Sequence, residues 1–158
     1  IETTRDIARQ ILRHRSFSFQ EFSQRYADPT KDLDFEIRET RLQDNKNRQN
    51  SIELDFTNAN NRELNRIWME KQQDIIRLAK ETYNWAIVNG IAKEQARAVL
   101  PEGNTVSRMY MNGTLRSWIH YIQLRRENGT QKEHQQIALA CAQAIAAIFP
   151  MASDIVSN

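Results

Sequence analysis

One stretch of the chain gathers the side chains that hold anions: Arg13-His14-Arg15-Ser16-Phe17-Ser18-Phe19-Gln20-Glu21-Phe22-Ser23-Gln24-Arg25-Tyr26. Three Arg and a His fall within 13 residues. Ser18 and Ser23 add hydroxyls, and Glu21 adds an acceptor among the donors. Such a set suits a phosphorylated ligand with a sugar. Arg and Ser hold the phosphate, while the carboxylate accepts from a ribose hydroxyl. Phe17, Phe19 and Phe22 could exclude water or flank a flat ring. Read as composition alone, the same stretch fits a solvated basic surface. Basic residues interleaved with aromatics also fit single-stranded nucleic acid.

Charge along the rest of the chain points the same way. The 158 residues carry a formal net charge of +2, and 16 of the 22 basic residues are Arg. Arg suits bidentate contact with phosphate and carboxylate better than Lys does. Between Gly103 and Arg126 there are four Arg and no acid. A near-neutral total can therefore hide local anion sites. The length suits one domain with a core that needs no staples. Cys141 is the single cysteine, so no intrachain disulfide is possible. No apolar run approaches the length of a membrane-spanning helix, and no secretory pattern opens the chain. A cytoplasmic location is the expectation.

The elements that must position these residues are legible in outline. Thr3 and Asp6 open a helix over residues 3–15, with Ile7, Ala8, Ile11 and Leu12 as its apolar stripe and Gln10, Arg13 and His14 on another face. Residues 16–19 alternate like a strand, and Asp28-Pro29-Thr30 reads as a turn. Leu33, Phe35 and Ile37, then Ile52, Leu54 and Phe56, alternate with charged residues. These read as two half-buried strands of a hairpin with a long polar tip. Residues 61–89 read as one long helix, and a shorter one fills 92–99. Residues 104–112 read as extended. Thr114 caps a helix running to about Arg126. The last helix is expected to open at Gly129-Thr130, with Glu133 completing a capping box. Ile137, Cys141, Ala144, Ile145 and Ile148 form its expected buried face, and Pro150 ends it.

The order of residues in the basic stretch is more specific than its composition. It resembles the defining motif of the flavin-dependent thymidylate synthases (ThyX). That motif reads Arg-His-Arg, two residues, Ser, one residue, Asn-Glu, one residue, Ser, one residue, Arg, usually followed by Tyr. Arg13, His14, Arg15, Ser18, Glu21, Ser23, Arg25 and Tyr26 stand in register, eight of 14 positions. Gln20 departs, standing where Asn is usual. Ala96-Arg97-Ala98-Val99-Leu100-Pro101 is similar to a second family segment. Gly113-Thr114-Leu115-Arg116-Ser117-Trp118 and Gln123-Leu124-Arg125 are similar to a third.

The resemblance implies an α+β fold, an antiparallel sheet with several long helices, forming a single domain over 1–158. It implies an enzyme that methylates dUMP to dTMP, with methylenetetrahydrofolate as carbon donor. A reduced FAD gives the hydride, and NADPH reloads the flavin. It implies a homotetramer with active sites between subunits. Carried over by position, dUMP contacts are Gln10, Arg13, Glu21, Ser23, Gln24, Arg25, Arg97 and Arg125. Arg97 reaches a neighbouring subunit's dUMP, and Arg125 polarises the uracil ring as the catalytic residue. Arg13, His14, Arg15, Glu21, Thr114, Arg116 and His120 line the flavin site; Thr114 and His120 each stand where some members use Asn. Only 12 residues precede Arg13. The family carries a longer segment there, so the resemblance implies a piece of a longer enzyme that needs the missing N-terminal segment. The competing class is a non-catalytic nucleotide- or single-stranded nucleic-acid-binding module that keeps the basic motif.

Three further readings complete the picture. Arg116 and His120 are four apart on one helix, whereas Arg125 lies about half a turn from Arg116. One straight helix therefore serves two sites, as an enzyme with sites between subunits allows. Ser23 beside Arg25 reads as a phosphate ligand rather than a nucleophile. His14, His120 and His134 lack metal spacing, Cys141 reads as core, and His134 reads as a surface residue near a helix start.

Overall fold

A three-stranded antiparallel sheet carries the basic motif. The computed structural model describes residues 1–149. Strand β1 (Glu2–Thr4) leads directly into helix α1 (Arg5–Ile11), and β2 (Ser18–Glu21) follows. A one-turn helix α2 (Pro29–Asp32), the hairpin β3 (Arg41–Gln43) and β4 (Ser51–Glu53), and the long α3 (Ala59–Val88) come next. Then come α4 (Lys93–Ala96), a 3-10 turn (Arg97–Val99), β5 (Val106–Asn112), α5 (Leu115–Arg125) and α6 (Lys132–Ile148). The strand β5 is central, flanked by β1 and β2. Its register sets Thr3 opposite Ser107 and Ser18 opposite Asn112. The mixed α+β class expected from the sequence holds.

Apolar burial explains where the elements sit. Ile7, Ala8 and Ile11 of α1 close on Met109 of β5, with Phe19 and Ile137 packed against them. Tyr83 and Ala86 of α3 close on Ala96 and Leu100. Tyr121 and Ile122 of α5 close on Ala138 and Ala142 of α6, with Phe17, Trp118, Cys141 and Ile145 alongside. Phe17 and Phe19 of the motif are thus used as packing, one in each of two clusters, rather than as an open stacking platform. Gly113 lets this happen. A Cβ there would lie 2.5 Å from Cδ1 of Phe17.

Several boundaries differ from expectation for identifiable reasons. The first helix covers 5–11, not 3–15, because Thr3 belongs to β1. Thr4 holds the Ncap position, but its hydroxyl donates to Asp6 (2.6 Å) instead of capping a backbone N–H. The motif strand begins at Ser18, and Asp28 caps a helical turn where a plain turn was expected. Residues 33–37 form no regular strand. Only Phe35 bridges Thr105, while Glu36 and Asp34 exchange backbone bonds with Asn104 and Val106. The hairpin itself is present, but its strands lie nearer the tip, with Leu42 opposite Ile52.

The last helix starts at Lys132 after Gln131 with no side-chain cap, and the carboxylate of Glu133 pairs with Arg38 and Arg41 instead of completing a capping box. Its buried residues are His134, Ala138 and Ala142; Ala144 and Ile148 are exposed. The expected stop at Pro150 lies outside the described residues. Among the described residues, no helix is long and apolar enough to cross a membrane.

Candidate active site

The end of α1, the start of β2 and the two ends of α5 bring the first half of the motif together. The helix α1 stops at Ile11, and the chain turns so that His14 faces α5. There Arg125 donates from Nε to Nε2 of His14 at 2.9 Å. The ring of His14 stands edge-on to Tyr121, centroids 4.9 Å apart. An imidazole nitrogen that accepts from a guanidinium carries no proton, so His14 is a neutral ring with its hydrogen on Nδ1. Burial first, then the charges of Arg125 and His120, hold its pKa below the ordinary value. With Nε used on His14, both Nη groups of Arg125 remain without a partner among the described residues.

Behind this pair lies a buried polar chain. The His134 side chain is fully buried, which corrects the surface reading of that residue. Its Nδ1 lies 3.2 Å from Oε1 of Gln10, and its Nε2 lies 3.1 Å from the Tyr121 hydroxyl. The amide oxygen of Gln10 can only accept, so His134 donates from Nδ1 and accepts the Tyr121 proton at Nε2. Gln10 in turn donates from Nε2 to Oε1 of Gln131 at 2.9 Å. Burial foremost, with the charges of Arg125 and His14, pushes His134 down to about 4. The same burial pushes the Tyr121 hydroxyl well above the ordinary phenol range.

The flavin-side residues expected from the sequence split by how they are used. Arg15, Ser16, Phe17, Ser18, Asn112, Gly113 and Thr114 line an open depression of about 510 Å³ where β2 meets the start of α5. Thr114 caps α5, accepting from the Ser117 amide at 3.2 Å. Arg116 follows in the first helical turn, where the helix dipole also favours an anion. Arg13, Arg15, Arg116 and His120 are all exposed. Among the described residues, Arg13, Arg15 and Arg116 have no carboxylate partner. By contrast Arg5, Arg9, Arg38, Arg41, Arg66, Arg77 and Arg108 each pair with one. Arg48 and Arg62, away from the motif, form no ion pair among the described residues either, Arg62 donating to the backbone carbonyls of Phe56 and Thr57. Arg13, Arg15 and Arg116 present uncompensated positive charge where the motif lies.

The second half of the motif lies beyond β2, against a different element. Glu21 accepts from Ser107 at 2.7 Å and lies 3.7 Å from Arg5. Ser23 is exposed, and its Oγ accepts only from the Arg25 amide. Gln24 is buried, and its Nε2 has no partner among the described residues. Arg25 pairs with Glu94 of α4 at 2.8 Å, both half-exposed. Arg97 follows Glu94 by three residues, exposed on the 3-10 turn. The four residues of β2 at about 3.3 Å each separate this group from the Arg15 and Thr114 group by roughly 10 Å or more. The residues expected to contact nucleotide and flavin thus fall into two groups, one at each end of β2. Sequence reasoning missed Tyr121 and His134. Tyr121 stands four residues before Arg125, on the same helix face. His134 shares its four-residue spacing with the buried Ala138 and Ala142, and that stripe was the available signal.

A family model described as thymidylate synthase complementing protein matches residues 1–151. The chain belongs to this family. The flavin-dependent thymidylate synthase of Synechocystis is 49% identical over 150 residues, covering 95% of this chain and 66% of that protein. A probable flavin-dependent thymidylate synthase of Paramecium bursaria Chlorella virus 1 is 47% identical over the same span and coverage. The chain therefore spans 66% of the length of these two relatives. The crystal structure of a UMP/dUMP methylase, PolB from Streptomyces cacaoi, shares the fold. Its TM-score is 0.72 at 23% identity, covering 92% of this chain and 66% of that one. In this family member the matched span takes in the motif, the Arg97 segment and the Arg125 segment.

Proposed function

We propose that the protein containing this chain is a flavin-dependent thymidylate synthase that methylates dUMP to dTMP. The observation that carries this reading is that five of the arginines at expected contact positions are free to meet an anion. Arg13, Arg15, Arg97, Arg116 and Arg125 form no ion pair among the described residues, and each falls on a position expected to contact nucleotide or flavin. Family membership and the relatives' names support the same chemistry.

The donor set fits an FAD. Arg13, Arg15 and Arg116 would face its pyrophosphate, beside the depression that Thr114 borders, with His14 and His120 completing the wall; Glu21, at the other end of β2, would meet flavin and dUMP in the site a neighbour completes. When bound, the reduced flavin supplies the hydride, with NADPH as its reductant and methylenetetrahydrofolate as carbon donor. The chain's own residues do the rest. Ser23, Gln24, Arg25 and Arg97 hold the dUMP phosphate and sugar, and Gln10 and Arg13 the remainder of the nucleotide. The free Nη groups of Arg125 face the uracil ring. A guanidinium there stabilises negative charge developing at N3 and O2, which raises nucleophilicity at C5. Neutral His14 holds Arg125 by its Nε and so aims those groups without adding charge.

The two groups of expected contact residues at opposite ends of β2 support assembly as a homotetramer, each site completed by a neighbour. The long α3 supports it too. Ile67, Trp68, Ile75, Leu78 and Trp85 are exposed along it, from 40% to 62%, as on an interaction face. The test is optical. The full protein mixed with FAD should show a protein-bound flavin spectrum that dUMP perturbs. A protein that binds neither is not this enzyme.

A further inference from the structure

His134 lies outside every residue so far given a role toward substrate, yet it bonds to one that has such a role, Gln10, and reaches another, Arg125, through Tyr121 and His14. Its Nδ1–H is held by Gln10, from α1, and its Nε2 receives the Tyr121 hydroxyl, from α5. Tyr121 supports the His14 ring edge-on, and His14 takes Nε of Arg125. His14 and His134 are themselves 6.3 Å apart, at 86°. As placed, the bonds of the chain run in one direction, from Tyr121 through His134 to Gln10 on one side and from Gln10 to Gln131 on the other. Gln10 uses its oxygen on His134 and its nitrogen on Gln131. The Gln10 amide is thus held at both of its ends. Neither His134 nor Tyr121 is exposed.

We propose that His134 is a positioning residue for the two substrate-contacting side chains Gln10 and Arg125. A buried neutral imidazole offers one donor and one acceptor at a fixed angle. It locks the Gln10 amide on one side and the Tyr121 ring on the other. Through Tyr121 it fixes the His14 ring, and with it the direction of the Arg125 guanidinium. The inference rests on the reading of Gln10 and Arg125 given above, but its geometry can be tested apart from it.

Three variants of the full protein separate positioning from bulk. His134→Leu keeps volume and removes both ring nitrogens. It leaves the Tyr121 hydroxyl and the Gln10 oxygen unpaired, which lowers stability. The pair His134→Leu with Tyr121→Phe removes the hydroxyl as well, leaving fewer orphaned polar groups and a foldable background. His134→Gln restores a donor toward Gln10 and an acceptor for Tyr121. Imidazole nitrogen NMR reads the His14 tautomer without any ligand, and calorimetry reads dUMP binding. The expected result is a His14 ring fixed as Nδ1–H in the wild type and in His134→Gln, but averaged in the double variant. The dUMP affinity of the double variant should fall about tenfold or more. An unchanged His14 tautomer in the folded double variant overturns the proposal. So does a His134→Gln protein as impaired as the double variant. A wild-type protein that binds no dUMP, with the NMR result as expected, refutes the function reading and leaves the geometric part standing.

Discussion

Acid should weaken this fold through His134 in a way that can be worked out in advance. The side chain is fully buried, its pKa pushed down to about 4 from an ordinary 6.5. Below 6.5 the unfolded chain takes up a proton that the folded chain refuses. Stability from this group is therefore fully present above 6.5 and is lost as pH falls towards 4. The gap between the two values corresponds to about 3 kcal/mol at a pH below both, of which about 2 kcal/mol is lost by pH 4.5. For a domain of this size that is roughly 4–8 °C in melting temperature. His14, also shifted down, adds in the same direction. Glu133, with its pKa lowered beside Arg41 and Arg38, weakens in acid as well. The assay therefore compares urea unfolding of wild type and His134→Gln from pH 7.5 to 4.5. Glutamine keeps a donor and an acceptor but does not titrate. The two stability curves should run parallel above 6.5 and converge or cross by about 2 kcal/mol at pH 4.5. Parallel curves throughout would refute the claim that His134 is held neutral by burial.

Other predictions follow from single contacts. Gly113→Ala puts a Cβ 2.5 Å from Phe17, which is already packed 5.0 Å from Trp118, and should cost about 1–3 kcal/mol in denaturant unfolding. Glu133→Gln strips Arg41, a poorly exposed guanidinium, of its carboxylate and leaves Arg38 with Asp6 alone, and should cost about 3 kcal/mol by the same assay. Glu94→Gln releases Arg25 from an exposed pair. It should leave stability within about 0.5 kcal/mol of wild type while tightening dUMP binding a few-fold by titration calorimetry.

Much of the fold was legible because its signals are local. Thr114 before a helical run, the apolar spacing of Ile7, Ala8 and Ile11, and the extended 104–112 segment each specify their element without outside help. The failures are long-range. Thr4 could not be told from Thr3 as a cap, because the partner that draws Thr3 into β1 is Ser107, more than 100 residues away. Glu133 fits a capping box by spacing, but Arg38 and Arg41 compete for it from another part of the chain. Residues 33–37 alternate well, yet the edge they meet at 104–106 admits one bridge. The site shows the same division. The order of Arg, His, Ser and Glu marked the motif, and helix arithmetic set Arg125 apart from Arg116. The buried chain from Gln10 through His134 and Tyr121 joins three helices, and no spacing within any one of them reveals it.

The most direct test is dTMP formed from dUMP by the full protein with FAD, NADPH and methylenetetrahydrofolate, in wild type and in Arg125→Ala. The prediction is flavin-dependent dTMP in the wild type and a loss of about 100-fold or more in turnover for the variant. A colourless protein that forms no dTMP, and binds oligonucleotides with steep salt dependence instead, would contradict it.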